Sequence, residues 1–322
     1  MISSLIPADA RTRGIAAILV GMLAISLQDS LIKLVSDRYP LHEIVLSRAV
    51  LAIALTLVIV HFEGGLAMLR TRRLGTHLVR AALIVIANMC FFLSLAVLPL
   101  AEAVALFFVA PLFITALSVP ILKEKVGPWR WGAVVFGLAG VIVMVRPGGD
   151  VFEPASLLPV GAAFAYACMQ MLTRRLGATE KASTMAFFIH FTFIIASVGM
   201  GLVAGDGKYA GDNHPSLEFL LRAWSWPEGD IHIFIGCGLL VTVGGYMLSQ
   251  AYRLAEANLI APFEYIGMPL AVFWGALLFD ELPDRTAMIG ISLIVGSGLF
   301  VFYRETVRGK PLAIRRPMPR NR

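Results

Sequence analysis

Glu264 stands between Phe263 and Tyr265, two residues after Pro262, in a stretch that is otherwise apolar. A carboxylate beside a phenol can hold a substrate group or a coupling proton. The proline frees a carbonyl in the preceding turn, and such a break is tolerated in lipid where the backbone lines a cavity. Two plainer roles stay open for Glu264: a carboxylate solvated at a water-filled mouth, or a partner for Arg253. Other ionisable residues singled out within the apolar runs are few. Gln28, Asp29 and Lys33 lie on neighbouring turns of one run, Glu43 and Arg48 share the next, and His190 sits in another. An ionisable side chain inside a membrane span costs about 2.5 to 3.5 kcal/mol on insertion scales, so it faces a partner or a cavity. Asp29 and Arg48 can form a structural ion pair, as buried charges usually do, or one of them can meet an ionic group of a substrate or a coupling proton. His190 can be a hydrogen-bonded structural residue or a proton relay, because an imidazole changes charge between about pH 5 and 8.

Aromatic side chains add a second kind of chemistry. Phe91, Phe92, Phe107, Phe108, Tyr166, Tyr246, Phe263, Tyr265 and Trp274 all fall in apolar runs. Most aromatics there pack against lipid or neighbours, but a buried phenol needs a hydrogen-bond partner, which selects Tyr166, Tyr246 and Tyr265. With Asn88, Gln28, Gln170 and Gln250 they can build a pocket that is neutral, aromatic and polar at a few points, the usual constitution of a small-molecule site. A planar heteroaromatic such as a flavin suits it, and so does an aromatic amino acid.

No metal, cofactor or enzyme chemistry is expected. His42, His61, His77, His214 and His232 lie at the ends of apolar runs or between them, and no H-E-x-x-H, nucleophile elbow, phosphate-binding loop or C-x-x-C occurs. Cys90, Cys168 and Cys237 sit in apolar runs as small hydrophobes. An intramembrane enzyme and a channel remain the rival classes, the latter without a repeated filter-like segment.

The elements that must position these residues are membrane helices. The chain has 322 residues, 58% hydrophobic and 15% charged, against about 25% charged in a soluble domain. Hydropathy predicts spans at 14–36, 42–62, 77–98, 101–122, 129–146, 156–177, 182–204, 231–252, 257–280 and 286–303, joined by short connections except for 205–230, which reads as a surface loop. The first run follows Arg11 and Arg13 without an A-x-A-like cleavage pattern and reads as a retained span. Placing the N-terminus in the cytoplasm puts Arg70, Arg72, Arg73, Lys123, Lys125, Arg130, Arg174, Arg175, Lys181 and Arg253 on the inside, together with the basic tail from Arg304 to Arg322. Only Arg38, Arg146, Lys208, Arg222 and Arg285 fall outside. This bias predicts an inner-membrane protein with both termini cytoplasmic. It also assigns the net charge of +6 to topology and anionic lipid rather than to nucleic acid.

The two halves repeat. Leu100-Ala101-Glu102-Ala103 recurs as Leu254-Ala255-Glu256-Ala257, which sets Phe92 opposite Tyr246. Pro111 and Glu124 recur as Pro269 and Glu281, and Gly132 and Gly140 as Gly290 and Gly298. Gln28 to Leu34 aligns with Gln170 to Leu176, and the same register puts Arg48 opposite His190. Five spans per half is odd, so the second half enters the membrane from the opposite side. That is an all-α inverted-topology repeat of 5+5 helices, with halves at 14–146 and 156–303 and a tail at 304–322, the plan on which many secondary transporters build alternating access.

The Pro-x12-Glu and Pro-x11-Glu spans, each followed by a Gly-rich helix, with ten helices and a basic tail, resemble the ten-helix EamA-type branch of the drug/metabolite transporter superfamily over residues 14–303. Ala261-Pro262-Phe263-Glu264-Tyr265 resembles a bacterial subset that includes riboflavin and S-adenosylmethionine carriers. The resemblance implies a basket whose cavity is lined by spans one, three, four, six, eight and nine, with spans five and ten outside. The implied function is secondary transport of a small molecule: a riboflavin-like vitamin first, then S-adenosylmethionine, an amino acid or an exported drug. The implied partners are that substrate, membrane lipid and a coupling proton, in a monomer or homodimer.

Overall fold

The computed structural model describes residues 8–71, 73–123, 126–147, 152–176, 182–211, 214–255 and 260–307. Glu124, Glu256 and Ala257 of the repeat, the basic residues Arg72, Lys125 and Lys181, and the tail from Arg308 to Arg322 lie outside that set. The side chain of Arg253 does too. Within the described residues, ten helices are long and apolar enough to cross a membrane: Thr12–Leu34, Leu41–Phe62, Leu74–Leu95, Leu100–Ile121, Pro128–Val145, Pro154–Thr173, Ser183–Ala204, Ile231–Ala251, Pro262–Phe279 and Arg285–Arg304. Among the described residues there is no strand. Lipid offers no hydrogen bonds, so each span must satisfy its own backbone, and helices do this within one segment.

The most extensive contacts between spans recur in the other half. Span one packs on span eight as span six packs on span three, and span four packs on span six as span nine packs on span one. Spans two and eight meet as spans seven and three do, while the pairs two and seven, four and nine, and five and ten map onto themselves. Adding five to the span numbers therefore regenerates these contacts, as an inverted repeat of five helices requires.

Spans four and nine are broken, and in the same place. Span four is helical over Leu100–Phe107 and again over Ala110–Leu122. Span nine starts as a 3-10 turn over Ala261–Ile266 and becomes α-helical over Gly267–Phe279. Pro111 and Pro269 follow the two breaks; having no N–H, a proline leaves the preceding turn one hydrogen bond short. The breaks also touch, since a side chain added at Gly267 would meet the Phe108 ring. Both helices end on a left-handed residue, Lys123 and Asp280.

One expectation is corrected. The stretch read as a surface loop contains a short helix, Pro215–Leu221, whose Phe219 is fully buried in the main core. The Arg222 guanidinium donates to Ser36 O at 2.9 Å. Trp224 packs its ring against Gly201 and donates its backbone N–H to Gly205 O at 3.0 Å. The segment therefore covers one end of spans one, two and seven; Pro and Gly signals mark a turn without showing whether an aromatic within it reaches the core.

Candidate functional site

Arg48 gathers side chains from four other spans. It is 3% exposed, and it donates to Asn88 Oδ1 of span three at 3.0 Å. Its guanidinium lies over the rings of Phe92 at 4.8 Å and of Phe193, in span seven, at 5.2 Å. A planar, weakly hydrated cation is the charge best suited to such faces. Asp29 of span one, His190 of span seven and Cys237 of span eight all lie within electrostatic range of Arg48. Asp29 and Arg48 act on one another without forming an ion pair within 4.0 Å. Asp29 instead accepts from Gln28 Nε2 at 3.2 Å, while Gln28 Oε1 is buried with no partner among the described residues.

From Arg48 an aromatic wall runs across the bundle. The Phe92 and Phe91 rings lie 5.5 Å apart, Phe91 and Phe107 5.4 Å, and Phe107 and Tyr166 5.5 Å. These are edge and tilted contacts, at spacings where ring quadrupoles attract. At the far end Gln170 Nε2 donates to the Tyr166 hydroxyl at 2.8 Å. The charge of Glu264 acts on the hydroxyls of both Tyr166 and Tyr265. Tyr265 stacks on Phe108 at 5.2 Å and seats its hydroxyl on Gly298 of span ten. The wall thus has a cation and amides at one end and a phenol, an amide and a carboxylate at the other.

Ten of the residues singled out from sequence fall in or beside this arrangement. Gln28, Asp29, Arg48, Asn88, Phe92 and His190 gather at the first end, and Tyr166, Gln170, Glu264 and Tyr265 at the second. Tyr246 and Gln250 stand apart. Tyr246 is 46% exposed on the stripe of span eight that carries Leu239 and Val243, and Gln250 is half-buried one turn further on.

Comparison with known proteins matches the EamA-like transporter family over residues 12–146. A riboflavin transporter of Rhizobium johnstonii is 30% identical over 76% of this chain and 75% of its own. The chain belongs to the EamA-like transporter family. This EamA-like protein is also 29% identical to a riboflavin transporter of Vibrio cholerae, over 92% of the chain and 95% of the relative. An S-adenosylmethionine uptake transporter of Rickettsia prowazekii is 24% identical, over 91% and 93%. A solved crystal structure superimposes with a TM-score of 0.59 over 95% of this chain and 99% of its own, at 17% identity, which shows a shared fold.

Two features of this EamA-like transporter escaped the sequence reading. Arg80 is an ionisable residue inside span three, 3% exposed. It donates to Met185 O at 2.7 Å and to the Thr173 hydroxyl at 3.4 Å, tying spans three, six and seven together. Its signal was present, a charge in an apolar run, but averaging over a window hides a single arginine. The second is a junction at the end of the bundle where spans three and nine finish. Lys33 donates to Leu95 O at 3.2 Å and Leu98 O at 2.7 Å, and pairs with Glu281. Glu281 in turn accepts the N–H of Leu100 at 3.1 Å, so a motif residue noticed for its spacing caps the helix that opens span four.

Proposed function

We propose that this protein is a secondary carrier that moves a planar heteroaromatic metabolite of the flavin kind by alternating access. The observation that carries the reading is the aromatic wall from Phe92 to Tyr166 with hydrogen-bonding groups at both ends. Ring edges and tilted faces along this wall can pack on a planar ring system, and fixed amides, a guanidinium and a phenol meet its polar edges. The buried, unpartnered Gln28 Oε1 supplies an acceptor that a substrate N–H or O–H can satisfy. The touching breaks of spans four and nine support alternating access, because discontinuous helices at the repeat interface build midplane sites in inverted-repeat carriers. The halves 14–146 and 156–303 are the units proposed to rock. The basic loops support placement in an inner membrane with both ends cytoplasmic, and the coupling proton is assigned to Asp29 and His190, the ionisable neighbours of Arg48.

A second reading rests on Glu264, whose carboxylate suits the cationic centres of S-adenosylmethionine, named for the Rickettsia relative. Thermal-shift measurements on the purified protein separate the two, since a ligand that binds the folded state raises its apparent stability. Riboflavin is expected to stabilise the wild type, and the Glu264→Gln protein to much the same extent. Stabilisation by S-adenosylmethionine alone, abolished in Glu264→Gln, would establish the second reading in its place. Saturable counterflow of unmodified riboflavin in proteoliposomes distinguishes a carrier from a channel or an enzyme, and an unchanged response to a pH gradient in His190→Gln removes His190 from coupling.

A further inference from the structure

Spans five and ten pack tightly at one end and part at the other. A Cβ on Gly140 would stand 2.9 Å from Gly290 O, and one on Gly290 equally close to Gly140 O, so the backbones are in contact there. Gly132 and Gly296, nearer the end where span one begins and span ten finishes, have nothing within 4 Å of that position. Between them opens a groove of about 700 Å³ reaching from Pro128 and Phe300 at its mouth to Phe136 and Ser292 at its depth. The inverted repeat pairs Gly132 with Gly290, yet one is open and the other packed, so the groove breaks the symmetry and exists at one end alone.

We infer that this groove holds one acyl chain of an anionic phospholipid from the leaflet at that end. Its depth fits: eight residues of helix rise about 12 Å, close to the roughly 15 Å of one leaflet of a hydrocarbon core about 30 Å thick. The lining is apolar in effect, because the Ser292 and Ser297 hydroxyls donate to Met288 O and Ile294 O of their own helix, at 2.7 and 2.8 Å. A polar substrate gains nothing there, whereas a hydrocarbon chain fills it. The mouth carries the opposite chemistry. The Arg304 guanidinium lies 4.2 Å over the Trp129 ring, an aromatic at the depth where interfacial tryptophans sit. Arg130 adjoins Trp129 in sequence. A phosphodiester complements that charge, and a zwitterionic headgroup does so less well.

Native mass spectrometry of the full-length protein, loaded with phosphatidylglycerol or with phosphatidylcholine of the same chains, tests the inference. Phosphatidylglycerol is expected to be retained about fivefold better per basic residue at the mouth. Arg304→Gln should lower that preference by a comparable factor and leave phosphatidylcholine retention unchanged. Gly296→Leu, which fills the groove, should reduce retention of both. Equal retention of the two lipids by the wild type overturns the anionic assignment. Unchanged retention by Gly296→Leu overturns the site. A dimer that persists without lipid and is lost in Gly296→Leu shows instead that a second copy of the chain occupies this face. The lipid comparison uses the wild type, so it stands even where a substituted protein folds poorly.

Discussion

Lys33 Nζ lies 3.0 Å from Glu281 Oε1, with the two side chains 8% and 30% exposed. The contact joins the first span of one half to the end of the ninth span in the other, on the end of the bundle where Glu281 also caps span four. On the proposed alternating-access reading this ion pair closes that end, and the carrier must break it to open there. Glu281→Gln keeps an oxygen for the Leu100 N–H and removes the charge, so it isolates the ionic part. Leaving a mostly buried cation unpaired costs several kcal/mol when burial is complete; with Glu281 partly solvated, about 1 to 2 kcal/mol is expected, a shift of roughly 5- to 30-fold toward the open end. A cysteine at Val97, in a protein whose three native cysteines are replaced, should be alkylated faster by that order in Glu281→Gln. Equal labelling rates would show that the pair does not hold this end closed.

Arg48 stacks on two rings and donates to one amide, and a lysine cannot do all three. Arg48→Lys keeps the charge but loses the guanidinium contact with the Phe92 and Phe193 rings. With about 2 kcal/mol for a desolvated cation–ring contact, the affinity for the proposed flavin-like substrate should fall about 10-fold or more while the protein still inserts. Titration of purified protein with riboflavin, followed by the quenching of flavin fluorescence, measures it.

The Tyr265 hydroxyl occupies the space where a Gly298 side chain would be. Gly298→Val should therefore destabilise the protein by about 1 to 3 kcal/mol, the usual cost of overpacking. Adding Tyr265→Phe removes the colliding oxygen and should restore part of that loss. Thermal denaturation of the single and double variants tests the coupling; simple additivity would mean that the two side chains do not meet.

Outside the spans, Arg146 donates to both carboxylate oxygens of Asp284, at 2.6 and 2.5 Å, and Asp284 accepts the Ala287 N–H at 2.7 Å. The hydrogen bond from Arg146, followed by that from Ala287, holds the Asp284 carboxyl below its ordinary value of 3.8. A depressed folded value means the stabilisation is complete above about pH 4 and is lost as pH falls through the folded value. The side chains are 28% and 55% exposed, so water screens the pair and about 0.5 kcal/mol is expected. Asp284→Asn should lower the melting temperature by about 1 to 2 °C at neutral pH and by less as the pH approaches 3. A constant difference across that range would assign the effect to something other than the carboxylate charge.

Ten spans and an inverted repeat were legible from sequence because both are local properties: a helix crosses lipid by length and hydropathy, and five helices per half impose opposite entry. Pro111 and Pro269 likewise announced that spans four and nine would not be regular, since a missing N–H acts within one turn. Which face each helix shows to which neighbour is a different matter. Asp29 and Arg48 share a depth and invite pairing, yet Arg48 bonds to Asn88 and lies between two phenylalanine rings. Tyr246 aligns with Phe92 in the repeat, yet one is exposed and the other walled in. Tyr265, next to Glu264 in sequence, seats its hydroxyl on Gly298 of span ten. In a soluble protein the polar face of a helix marks its rotation, whereas here lipid and core are equally apolar and the sequence carries little of that signal. Rotation is decided by close packing between helices, where glycines at 140 and 290 let two backbones touch and those at 132 and 296 leave them apart. That information exists only once the ten helices stand together.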